Sequence, residues 1–161
     1  MVEASTTAWT GEGDYRNAID QVLALSQLSL SIFDRDLRRM GLEEKGRVEA
    51  LAAFLSGNPA RRLRIAIHDP APLQDASPRL RSLIQRHSSV CECRQTPLEL
   101  QHLGDCLFLG DQDHGVIRFH YDHARGKQII ASPAELAGYR QRFEDLWEMG
   151  IPLSLGVTLG L

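Results

Sequence analysis

Three short apolar runs, each preceded by a helix-length segment, constrain this chain most. LSLSIF (28–33), LRIAIHD (63–69) and VCECRQT (90–96) have the length and side-chain pattern of strands. Asp14 is placed to cap a helix running through Ser26, with Ile19, Val22, Leu23 and Leu25 on its apolar side. A second helix is expected from Leu42 to Leu55, burying Val48, Leu51, Ala52, Phe54 and Leu55, until SGNPA stops it. Ser77 and Pro78 open a third, ending near His87. Helix and strand in alternation imply right-handed crossovers and parallel strands.

The second half reads differently. CLFLG and VIRFHY flank the polar turn DQDHG as a hairpin, and KQIIAS (127–132) follows as a sixth strand. Ser132 and Glu135 stand at capping-box spacing before a last helix, which carries Leu136, Tyr139, Phe143, Leu146 and Trp147 on one face. The expected order is α-β-α-β-α-β-β-β-β-α. The expected fold is α/β, with a mixed, mainly parallel sheet and helices on both faces. Residues 1–13 read as a flexible polar leader, and residues 14–161 as a single domain. The apolar tail IPLSLGVTLGL (151–161) is expected either to pack on the core or to add an edge strand.

A length of 161 residues fits one domain, and 43% apolar with 24% charged residues describes a globular chain. The net charge of -3 predicts no general attraction to nucleic acid or to an acidic membrane surface. No apolar run approaches the roughly 18 residues of a membrane span. The N-terminus lacks the basic and apolar regions of a signal peptide. Cys91, Cys93 and Cys106 are read as reduced core or strand thiols, and the expected compartment is the cytoplasm. They lack the second ligand pair of a zinc site. There is no G-x-G-x-x-G, P-loop, G-x-S-x-G or H-E-x-x-H, so no cofactor and no metal are expected.

The element order resembles one half of the phospholipase D/nuclease superfamily. LSLSIFDRDL resembles its first strand and polar turn, LAAFLSGNPARRLRIAIHDP its second helix and strand, and LRSLIQRHSSVCECR its third pair. GKQIIASPAELAGYRQRFEDLW resembles the closing strand and helix, with F-x-x-x-W formed by Phe143 and Trp147. The likeness covers residues 15–148 and extends to a small bacterial domain of unknown function within that group. It implies a catalytic motif H-x-K-x4-D, in which histidine is the nucleophile, lysine clamps the phosphate oxygens and the acid orients the site. His102 lies where the hairpin histidine belongs, but Gly104 and Leu109 stand at the lysine and aspartate positions. His68, His87, His114, His120 and His123 are followed at the second position by Pro70, Ser89, Val116, Asp122 and Arg125, none of them lysine. The resemblance therefore implies a catalytically degenerate half acting as a binding or regulatory module. It also implies a homodimer, because complete enzymes of the group join two halves about a pseudo-twofold axis. The alternatives are a hydrolase with an altered site centred on His102 and His120, and a domain that binds a protein partner without a small ligand.

Polar residues gather where strands should end. FDRDLRR (33–39), IHDP (67–70) and RFHYDHARGK (118–127) would share the carboxyl edge of the sheet, where open α/β sheets bind ligands. The candidate ligand-binding residues are His102, Arg118, His120, Arg35 and His68, with a small anion as the candidate ligand. Arg118, His120 and Asp122 alternate and would project to one side. Asp34, Arg35 and Asp36 could pair among themselves or with Arg118, and each of these groups could equally be a solvated ion-pair cluster. Asp111, Asp113 and His114 suggest a metal loop, although hairpin turns favour such residues on their own account. Nucleic acid is not expected, since the arginines of RRLR and LRSLIQR lack neighbouring aromatics.

Overall fold

The computed structural model describes residues 2–155. The elements in chain order are β1 (Ser5–Thr10), α1 (Glu12–Leu25), β2 (Ser29–Asp34), α2 (Lys45–Gly57), β3 (Arg62–Ile67), α3 (Ala71–Asp75), α4 (Pro78–Arg86) and β4 (Cys91–Gln95). Then come β5 (Cys106–Gly110), β6 (His114–His120), β7 (His123–Ile130), α5 (Pro133–Met149) and β8 (Ile151–Pro152). Among the described residues the strands form one sheet in the order β1-β7-β6-β5-β2-β3-β4-β8.

The α/β architecture is as expected, but the strand directions need correction. Among the described residues only β2–β3 and β3–β4 pair in parallel, and the other five pairings are antiparallel. Two helical crossovers, through α2 and through α3 and α4, give two parallel pairings, while tight connections after β5 and β6 force reversal. Residues 5–10, expected within a flexible leader, instead form β1, antiparallel to β7 from Ser5↔Ile130 to Thr10↔Arg125. At the other edge Ile151 and Pro152 add a short strand to β4, and Leu153 and Leu155 pack on the core. Residues 156–161 of the apolar tail lie outside the described residues.

Side-chain alternation along the strands divides the interior into two layers. α1, α2 and α4 cover one face through Ile19, Val22, Leu51, Leu80 and Leu83, packed on Leu30, Ile32, Leu63, Ile65 and Phe108. α5 covers the other through Leu136, Phe143, Leu146 and Trp147, packed on Phe33, Ala66, Leu107, Ile117 and Ile129. The central strands β2, β3 and β5 are buried on both faces, which is why they read as nearly unbroken apolar runs.

The capping of three helices differs from expectation. α1 begins at Glu12 behind Gly11, whose φ of 97° suits glycine, so Asp14 lies inside the helix. Ser77 does not cap α4; the Glu43 carboxylate does, accepting the N–H groups of Arg79 and Leu80 at 3.1 and 2.9 Å. Ser132 makes no side-chain cap either. Its partner Glu135 instead accepts the Thr6 hydroxyl and faces Lys127, tying α5 to β1 and β7.

Gly126 shows how closely β6 and β7 approach. A Cβ there would lie 1.8 Å from the Ile117 carbonyl oxygen and 2.7 Å from the Trp9 ring, so the strand pair and the seat of Trp9 both require glycine.

Candidate functional site

One edge of the sheet collects the carboxyl ends of β2, β3, β4 and β6, the amino ends of β5 and β7, and the start of α1. Phe33 pairs with Leu107, and Cys106 pairs with Arg118. This register places Asp34, Cys106 and Arg118 side by side at that edge.

Arg118 is fully buried. Its Nη1 and Nη2 donate to the two oxygens of Glu12 at 2.6 and 3.0 Å. Nη2 also donates to the Tyr121 carbonyl at 2.7 Å and Nε to the His120 carbonyl at 3.2 Å. The guanidinium lies 4.9 Å from the Tyr15 ring centre. A buried cation needs this saturation, because desolvation of an unpaired one is prohibitive. The hydrogen bonds from Arg118 in turn hold the Glu12 carboxyl below its ordinary range.

The expectation that Arg118 and His120 project together is overturned. A register irregularity between Arg118 and His120 breaks the alternation, so Arg118 is buried and His120 is half exposed. Arg118 also pairs with Glu12, not with Asp34 or Asp36. Asp34 is buried, and its Oδ2 accepts the N–H groups of Asp36 and Leu37 at 3.2 and 2.7 Å. Its Oδ1 is buried with no hydrogen-bond partner among the described residues, while the neighbouring Cys106 thiol donates to the Gly104 carbonyl at 3.8 Å. Burial pushes both the Asp34 carboxyl and the Cys106 thiol up. Asp36 accepts the Tyr121 hydroxyl at 3.1 Å and the Arg38 Nε at 3.1 Å.

Tyr121 is the hub of the exposed side. Arg35 and Arg39 lie over its ring, 4.0 and 4.5 Å from the centre. Arg35 also faces Asp122 at 4.0 Å, and Arg39 reaches Glu12 at 3.3 Å. The His120 ring lies against Gly104, so closely that a Cβ on Gly104 would come within 2.6 Å of its Nε2. Its Nδ1 accepts the Asp122 N–H at 3.1 Å.

The structure therefore brings Arg35, Arg118 and His120 together around Tyr121. His68 is adjacent but engaged at both ring nitrogens: Nε2 meets the Leu103 carbonyl at 2.8 Å and Nδ1 meets the Thr96 hydroxyl. It fixes the segment leading into β5. His102 is exposed on that segment and makes no hydrogen bond among the described residues. Glu12 and Tyr15 lie outside the stretches expected at this edge, and Arg39 and Tyr121 lie within them without being candidates. The acidic first turn after a glycine was the available signal for Glu12.

Asp111, Asp113 and His114 lie at the opposite edge of the sheet. Their ligand atoms fall within 4.8 Å of one another. The Asp111 carboxylate, however, accepts the N–H groups of Gln27, Leu28 and Ser29, and His114 Nδ1 accepts that of Ala131. The cluster thus works as a turn that holds the start of β2. The larger cavities are also elsewhere: about 720 Å³ between α1 and α2, and about 500 Å³ beside α4 and β4.

Two crossovers followed by a hairpin give the chain a fold that solved phospholipase D-like structures share. Nuc, a phospholipase D family member from Salmonella typhimurium, superposes with a TM-score of 0.65 at 15% identity, over 94% of this chain and 99% of that one. NucT from Helicobacter pylori gives 0.60 at 8% identity, over 94% and 100%. TrmBL2, an archaeal chromatin protein described as having a novel mode of DNA binding, gives 0.68 at 14% identity, over 95% of this chain and 54% of that one. The chain belongs to the family described as Domain of unknown function (DUF7931), whose model matches residues 12–155. No curated protein matches it in sequence. No described helix is long and apolar enough to cross a membrane.

Proposed function

We propose that this chain is a phospholipase D-like half that lacks hydrolytic chemistry and acts as a binding or regulatory module, taking an oxyanion at the edge formed by Arg35, Arg118 and His120. Read back from Asp111, the spacing H-x-K-x4-D falls on Gly104, Cys106 and Asp111. The acid position is then filled by a residue that holds the start of β2 at the opposite edge, while a glycine and a thiol replace the two reactive groups. Burial keeps the Cys106 thiol protonated and neutral, so it supplies no charge to a phosphoryl group.

The observation that carries this reading is the seat of His120. Its ring occupies space beside the missing side chain of Gly104, yet Nδ1 is an acceptor for the Asp122 N–H. A neutral ring in that state carries its proton on Nε2. It can donate to an anion there but has no Nε2 lone pair with which to attack phosphorus. His102 flanks the edge and His68 positions it.

Bis(4-nitrophenyl) phosphate tests the chemistry: no turnover above background is expected. Turnover that disappears in His120→Ala would establish a hydrolase instead. Thermal-shift titration with inorganic phosphate tests the binding, with a rise in melting temperature expected in wild type and a reduced one in Arg35→Ala and His120→Ala. A DNA duplex belongs in the same titration, because the DNA-binding TrmBL2 shares the fold. Three buried, unpaired thiols favour the reducing cytoplasm. The half-domain size favours a homodimer, for which light scattering should give twice the mass of one chain, and a monomer at high concentration would remove that part.

A further inference from the structure

The carboxylate of Glu12 occupies the guanidinium fork of Arg118. It is shared by two guanidinium groups, Arg118 at 2.6 and 3.0 Å and Arg39 at 3.3 Å. The burial of the partners is unequal: the Arg118 side chain is 1% exposed and that of Glu12 is 42% exposed. Glu12 therefore covers Arg118 and is itself reachable from solvent. It is the first residue of α1, behind Gly11, and rotation of its side chain needs no movement of the helix backbone.

The two guanidinium groups have more donors than the Glu12 carboxylate engages. The Nε of Arg39 is buried and has no partner among the described residues. A phosphate group offers three acceptor oxygens where a carboxylate offers two. Both arginines are already oriented, Arg118 by two carbonyls and Arg39 by the Tyr121 ring. The acidic neighbours are also accounted for. Asp36 is paired with Arg38, Asp122 faces Arg35, and Asp34 is buried against Cys106.

We propose that Glu12 is an internal competitor for a phosphate-binding site made by Arg118 and Arg39, which opens to inorganic phosphate or a phosphate monoester when the Glu12 side chain turns outward. This rests on the oxyanion reading of the edge and adds the residue that regulates it. Gating by Glu12 also keeps Arg118 paired in the absence of ligand, as a buried guanidinium requires.

The test is calorimetric titration of the full chain and of Glu12→Gln with inorganic phosphate and, separately, with adenosine monophosphate. Glutamine keeps the length and one acceptor but drops the charge. Phosphate is expected to bind Glu12→Gln about tenfold more tightly than wild type, the scale of one charge-assisted contact released from competition. Adding Arg39→Gln should remove that gain. Stronger binding of the nucleotide would assign an organic monoester, and stronger binding of inorganic phosphate the free anion. If Glu12→Gln does not fold, Glu12→Asp provides the second variant, since a shortened carboxylate cannot span both arginines, and it too should bind more tightly than wild type. Equal affinity in wild type and variant, or a gain that survives Arg39→Gln, would overturn the competition. Should wild-type binding be lost in His120→Ala while Glu12→Gln changes nothing, the oxyanion edge stands and the Glu12 gate falls. Absence of binding in every variant removes both.

Discussion

Glu12 and Asp34 lie at one sheet edge, and their surroundings shift their proton affinities in opposite directions. Hydrogen bonds from Arg118 hold Glu12 below its ordinary value of 4.5. Its contribution to stability is therefore complete above that value and is lost as pH falls through the depressed value of the folded chain. Burial raises Asp34 above its ordinary 3.8. The folded chain then holds that proton more tightly than the unfolded one, so the contribution is complete below 3.8 and declines as pH rises through the raised value. Asp34→Asn keeps an oxygen for the N–H groups of Asp36 and Leu37 and removes the titration. Urea denaturation across a pH series should show a decline above pH 4 in wild type that is absent in Asp34→Asn; equal slopes would contradict the assignment. The chemistry of this edge was only partly legible in the sequence. Arg35, Arg118 and His120 drew notice because they cluster near strand ends. The partner of Arg118 did not, since Glu12 lies 106 residues away and in a segment without apolar periodicity.

Elements were more legible than their ends. Runs such as LSLSIF and LRIAIHD declare buried strands because both of their faces must be apolar. β1 carries no such mark: Trp9 is its one buried side chain, and pairing with β7 rests on backbone groups that every residue has. The parallel share of the sheet was overstated because three helix–strand units suggest more parallel neighbours than the antiparallel second half allows. The turn between β5 and β6 has its own energetic test. Asp111 adopts a φ of 55° and receives three consecutive backbone N–H groups from the start of β2. Asp111→Ala should destabilise the fold by about 2 kcal/mol, the loss of charged hydrogen bonds at a partly exposed site together with a less tolerated backbone conformation. Asp111→Asn, which retains an acceptor and tolerates that conformation, should cost less than half as much. Chemical denaturation of the pair decides between this capping role and a turn of no consequence, for which the two variants would be alike.

At the scale of the whole molecule, the two ends of the described chain close the two sides of the sheet, β1 against β7 and β8 against β4. The family match begins at residue 12, just after β1. A chain trimmed to that boundary would look intact by homology and yet lose a strand. It would bare the outward backbone of an eight-residue β7 and vacate the space that Trp9 fills beside Gly126. An uncovered strand of that length is a template for intermolecular pairing. We expect removal of residues 1–11 to convert a well-behaved protein into one that self-associates with rising concentration, as read by size-exclusion profiles and thioflavin binding. Unchanged behaviour would show that β7 tolerates an open edge. The stretch that most resembles a dispensable extension is, in these terms, a built-in guard against fibril formation.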